Sequence, residues 1–103
     1  MYNELITLVA VTETEQENGD LQKTFVRKEI LAKKKSVGMK EKYEALSKGL
    51  NPELVFEIAD RLDYDGQEYI EYGTDGDGDP VRYRVLRTYG KDDSDELEIV
   101  VER

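Results

Sequence analysis

The sequence predicts a mainly β domain, a small antiparallel six-stranded β-barrel or sandwich with one short α-helix between strands 2 and 3. Three observations point there. Short runs in which apolar and polar residues alternate recur along the chain, as in "ELVFEI", "VRYRVL" and "ELEIVV". Turn signals such as Asn18-Gly19 and Asp65-Gly66 separate them. One stretch, "SVGMKEKYEALSKGLNP", switches to helical spacing.

The first strand is expected over Leu5 to Val11, apolar on both faces as a strand in a closed or sandwiched sheet would be. Asn18-Gly19 then provides a hairpin tip, and the second strand returns from Leu21 as "LQKTFVRKEILAKKK". Its apolar residues do not alternate cleanly, which predicts a bend or bulge near Arg27 to Glu29. Ser36 can cap a helix starting at about Gly38, with Met39, Tyr43, Leu46 and Leu50 along one stripe. Lys40, Glu41, Lys42, Glu44 and Lys48 then face away from the core, and Gly49 with Asn51-Pro52 ends the helix. Glu53 to Ala59 alternates, placing Leu54, Phe56 and Ile58 on one side. "QEYIEY", "VRYRVLRTY" and "ELEIVVER" complete the six strands, with "KDDSD" as the last turn and each strand expected to pair with its sequence neighbour in a meander. Closure of such a sheet removes exposed edges.

At 103 residues the chain has room for one domain, spanning 1–103. It lacks Cys, so disulfides and thiolate metal sites are excluded. It also lacks His, which removes the commonest general base and zinc ligand and argues against an enzyme. No apolar run is long enough to span a membrane, and the N-terminal "ELITLVAV" has no basic flank or cleavage site, so a cytosolic chain is expected. The net charge of -9 is unevenly spread: nine of the fifteen basic residues lie between Lys23 and Lys48 against Glu29, Glu41 and Glu44. That segment carries +6 and the remainder -15. Such a split suits docking on an acidic neighbour or head-to-tail contact between copies.

Candidate chemistry is sparse. Asp75, Asp77 and Asp79 begin like a calcium loop, but Pro80 stands where that loop needs Gly and Leu86 where it needs the closing Glu. Acid pairs such as Glu68 with Glu71 or Asp63 with Asp65 read as solvated surface. Arg82, Arg84 and Arg87 interleave with Tyr83 and Tyr89 as in sheets that grip nucleic acid, yet the net charge opposes tight binding, and pairing with nearby acids is expected instead.

The phrases "KEILAKKKSVG", "MKEKYEALSKGL", "NPELVFEIAD", "YDGQEYIEYG" and "RYRVLRTYGKDDSDELEI", in this order from about Thr24 to Glu102, resemble the head-closure (stopper) proteins of long-tailed bacteriophages and prophages. Lys35-Ser36-Val37-Gly38, Pro52-Glu53-Leu54 and the run from Arg84 to Tyr89 carry the likeness. The insertion from Asp75 to Pro80 departs from the family's short turn. The resemblance implies a cofactor-free structural subunit that oligomerises as a ring in the virion neck, assembled in the bacterial host cytoplasm. It implies contact with portal or adaptor and tail proteins, with DNA passing nearby but no sequence-specific nucleic-acid binding, and no membrane. The segment from about Ser36 to Asn51 corresponds to the family's ring and channel contacts, and the basic run before it would face acidic neighbours; Lys33, Lys34, Lys35, Lys40, Lys42, Glu44 and Lys48 are therefore the candidate interface residues. A second reading is a small acidic protein-binding module, calcium-dependent in one version through Asp75, Asp77 and Asp79.

Overall fold

Alternation along the strands sends one set of side chains to a common interior, and that set forms the core. Ile6, Leu8, Ala32, Phe56, Ile58, Ile70, Ile99 and Val101 are fully buried in one cluster. Each of these side chains larger than Ala contributes roughly 2 kcal/mol through burial. The computed structural model describes residues 2–90 and 93–103. Its strands are β1 (Glu4–Glu15), β2 (Leu21–Lys35), β3 (Leu54–Ile58), β4 (Tyr69–Thr74), β5 (Pro80–Gly90) and β6 (Leu97–Glu102). A helix, α1 (Met39–Leu46), lies between β2 and β3, and a 3₁₀ turn covers Arg61–Asp63. All pairings are antiparallel, and the sheet closes as a barrel in the order β1-β2-β3-β6-β5-β4.

The barrel form of the predicted fold is therefore the one adopted. The meander holds only within each half. β1-β2-β3 and β4-β5-β6 are two three-stranded meanders, but β3 pairs with β2 and β6, so the chain crosses to β4 without a β3–β4 hairpin. Asp65-Gly66 accordingly sits in a connection, where Gly66 takes a φ of 78°. Irregular pairing also falls elsewhere than expected. β1 and β2 pair without a register shift through Arg27 to Glu29, whereas shifts occur between Glu71 and Thr74 and between Val85 and Arg87. Curvature is needed where three strands close the barrel, and less so in a two-stranded ribbon that can twist freely. Of the predicted turn "KDDSD", Lys91 and Asp92 lie outside the described residues.

The β1–β2 ribbon makes the molecule long. β4 joins β1 only at Thr7 to Val9, and β3 joins β2 only from Ala32 to Lys35. β1 nevertheless runs past the predicted Val11 to Glu15, because Thr12, Glu13, Thr14 and Glu15 find partners in Thr24, Lys23, Gln22 and Leu21. The radius of gyration is 15.3 Å and the longest dimension 49 Å, against roughly 13 Å expected for a compact domain of this length. A cluster at the ribbon's root ties it to the barrel. The Arg27 and Arg82 guanidinium groups lie 5.7 and 5.4 Å from the Phe25 ring centre, and Arg82 also lies 5.3 Å from that of Tyr69. Glu71 pairs with both arginines, at 3.0 and 3.5 Å.

Candidate assembly surface at the β2–β3 crossover

The helix begins at Met39, one residue after the predicted start, and Ser36 is not its cap. Gly38 is the N-cap, in extended conformation and with no side-chain hydrogen bond, and Glu41 stands in the first turn. Its end follows expectation: Gly49 adopts a φ of 79°, its N–H donates to Leu46 O at 3.1 Å, and the Leu50 N–H donates to Ala45 O at 3.0 Å. These two bonds make the glycine-terminated stop of a Schellman motif. An eight-residue helix is marginal alone, so its contacts with the barrel fix its orientation.

Those contacts reverse the predicted orientation. Glu41 and Ala45 face the barrel, while Met39, Tyr43 and Leu46 are exposed at 68%, 66% and 48%. Of the predicted stripe, Leu50 alone is half-buried. The Glu41 carboxylate accepts from Arg87 Nε at 2.9 Å and from Tyr89 OH at 3.2 Å, both on the outer face of β5. Burial first, then the Glu41 charge, pushes the Tyr89 hydroxyl above its ordinary pKa. Between helix and barrel remains a cleft of about 100 Å³, lined by Ala45, Leu50, Pro52, Leu86 and Val100 among others. Hydrophobic periodicity assigns the largest apolar residues to the core, but here Glu41 and Ala45 take the inward side, Glu41 paired with Arg87 and Ala45 over the cleft lined by Leu86 and Val100. The signal was present in Arg87 and Tyr89, which needed an acid and found Glu41.

The predicted interface lysines divide into two kinds. Lys33, Lys34, Lys40, Lys42 and Lys48 are exposed, as is Glu44. Lys34 also lies 5.5 Å from the Tyr72 ring centre. Lys35 is committed within the chain: its ammonium donates to Glu57 Oε1 at 2.9 Å and to Glu98 Oε1 at 3.1 Å. The Glu57 side chain is only 5% exposed. Tyr2 OH donates to its other oxygen at 3.3 Å. The Lys35 hydrogen bond holds the Glu57 carboxyl below its ordinary pKa, and the Glu57 and Glu98 bonds raise that of Lys35. Lys35 is thus part of the framework under the surface, while the other five lysines form the surface itself.

Elsewhere the arginines of β5 behave as expected of an outer face: Arg82 pairs with Glu71, Arg84 with Glu102 and Arg87 with Glu41, while Tyr83 packs against the core. In the acidic loop, Asp75 Oδ1 accepts from the Asp77 N–H at 2.8 Å and the Asp79 N–H at 3.1 Å. That oxygen serves the turn, with Gly78 at a φ of 84°. Among the described residues, no group of three or more acids is placed to hold a metal ion, and no helix is long and apolar enough to cross a membrane.

Neither a model of a known protein family nor a curated protein matches the chain.

Proposed function

We propose that the protein is a structural, non-enzymatic subunit of the head-closure ring in the neck of a long-tailed bacteriophage or prophage. In this reading it assembles in the host cytoplasm, seals packaged DNA, and docks portal or adaptor proteins on one side and the tail on the other. The observation that carries the reading is the orientation of α1. A short helix places Met39, Tyr43 and Leu46 in water beside its own exposed Lys40 and Lys42, on a barrel whose interior is filled by its own side chains. An apolar stripe with a charged frame is the form of a surface that becomes covered on assembly.

The charge balance supports the same role. DNA must slide through a neck channel without sticking, and a chain of net charge -9 repels phosphate over most of its surface. The resemblance in sequence supplies the setting, and the exposed helix supplies the contact. Disrupting the gene in the phage or prophage that carries it tests the reading by electron microscopy of induced lysates. The expected outcome is tailless heads that have lost their DNA. Intact tailed, infectious particles would overturn it.

A further inference from the structure

The crossover surface has a counterpart at the far end of the same molecule. β2 starts at Leu21 on the free end of the ribbon and finishes at Lys35 beside the crossover to α1. Its 15 residues span roughly 50 Å at about 3.3 Å each, close to the 49 Å long axis. The ribbon end carries Glu13, Glu15, Glu17 and Asp20, all exposed, against one base, Lys23, which lies 4.0 Å from Glu13. Leu21 is 66% exposed there. The ribbon is also two strands wide: among the described residues, β1 from Ala10 to Glu15 pairs with β2 alone, and β2 from Leu21 to Leu31 pairs with β1 alone. Both outer edges therefore present backbone groups that no third strand satisfies.

An acidic end with an apolar residue and a basic end with an apolar stripe sit at opposite ends of one continuous strand. They cannot meet within a single copy. We propose that the ribbon end of one copy docks on α1 of a second copy, with the acidic residues against Lys40 and Lys42 of the helix and Leu21 against Met39, Tyr43 and Leu46. The contact is heterologous, so repetition gives a ring if the rotation closes. Complementary charge sets its direction and register, and the apolar residues hold it. For its biological setting this inference rests on the ring reading above.

A chain without cysteine allows a direct test. Leu21→Cys is mixed with Tyr43→Cys under mild oxidation, and the rate of disulfide-linked dimer formation is compared with that of Leu62→Cys mixed with Tyr43→Cys. Leu62 is 83% exposed, so the control thiol is fully accessible. The Leu21 pair should cross-link at least about tenfold faster, and Glu13→Lys with Glu15→Lys on the ribbon should remove that advantage. Adding Lys40→Glu with Lys42→Glu to the helix partner should restore it. Equal rates for the two pairs, or indifference to charge reversal, would overturn the proposal. Failure here together with tailless heads on gene disruption would leave the ring reading standing and this contact wrong. Specific cross-linking with intact tailed particles would leave the contact standing and the phage setting wrong.

Discussion

Replacing Lys35 by Met isolates the ion pair that supports the crossover surface. The substitution keeps the aliphatic stem and removes the ammonium that donates to Glu57 and Glu98, which are cross-strand partners between β3 and β6. Two carboxylates are then left side by side, with Glu57 almost fully buried. Removing one partner from a buried pair costs about 3–5 kcal/mol. Because the Lys35 side chain is 33% exposed, water and salt already screen part of that interaction, and the expected loss is about 2 kcal/mol. For a domain of this size that corresponds to roughly 8–16 °C in melting temperature. The pH dependence gives the sharper signature. Glu57 titrates below its ordinary 4.5 in the folded protein, so its contribution is present above that value and is lost as the pH falls through the depressed folded value. Lys35 titrates above its ordinary 10.5, so its contribution is present at neutral pH and is lost only in strong base. The deficit of Lys35→Met, measured by urea denaturation, should therefore be full at pH 7 and shrink below pH 4.5. A loss within about 0.5 kcal/mol of zero at pH 7, or a deficit that does not change on acidification, would refute the role given to this pair.

Other substitutions separate surface from framework. Tyr43→Ser should leave urea stability within about 0.5 kcal/mol of the parent, because that side chain is 66% exposed in the isolated chain; a loss of several times that would place it in the core. Phe56→Ala should cost about 3–5 kcal/mol, since Phe56 is fully buried and its ring meets Tyr72 edge-on at 5.1 Å. Arg82→Ala should accelerate amide hydrogen exchange in the ribbon while leaving β3 and β6 protected, because Arg82 links Phe25 to the barrel; uniform acceleration across all strands would contradict that local role. Gly49→Ala should destabilise by about 1 kcal/mol, since φ there is 79° with open space around the missing Cβ, and an unchanged midpoint would argue against the helix stop.

Alternation made the strands legible: Leu54, Phe56 and Ile58 on β3 and Leu97, Ile99 and Val101 on β6 turn inward as their spacing implies. Glycine chemistry made two ends legible, the Asn18-Gly19 tip, with Gly19 at a φ of 87°, and the stop at Gly49. What spacing could not supply was which strands become neighbours. β3 and β6 lie side by side, with Val55 opposite Val100 and Phe56 opposite Ile99, a pairing decided by closure rather than by any local turn. The helix misled for a related reason. Met39, Tyr43 and Leu46 have the period of a buried stripe, but the barrel offers that side of the chain Arg87 and Tyr89, and Glu41 satisfies them. Lys33, Lys34 and Lys35 look equivalent in sequence, yet only Lys35 lies in hydrogen-bonding reach of both Glu57 and Glu98. The tertiary partners of a charge decide whether it belongs to a surface or to the structure beneath it.

Hydroxyl-radical footprinting of Tyr43 and Leu46, read by mass spectrometry in the purified chain and in whole virions, tests most directly whether the outward side of α1 exists to be covered. Both residues should oxidise readily in the free protein, in keeping with their exposure, and be strongly protected in the particle. Equal oxidation in both states would contradict burial on assembly.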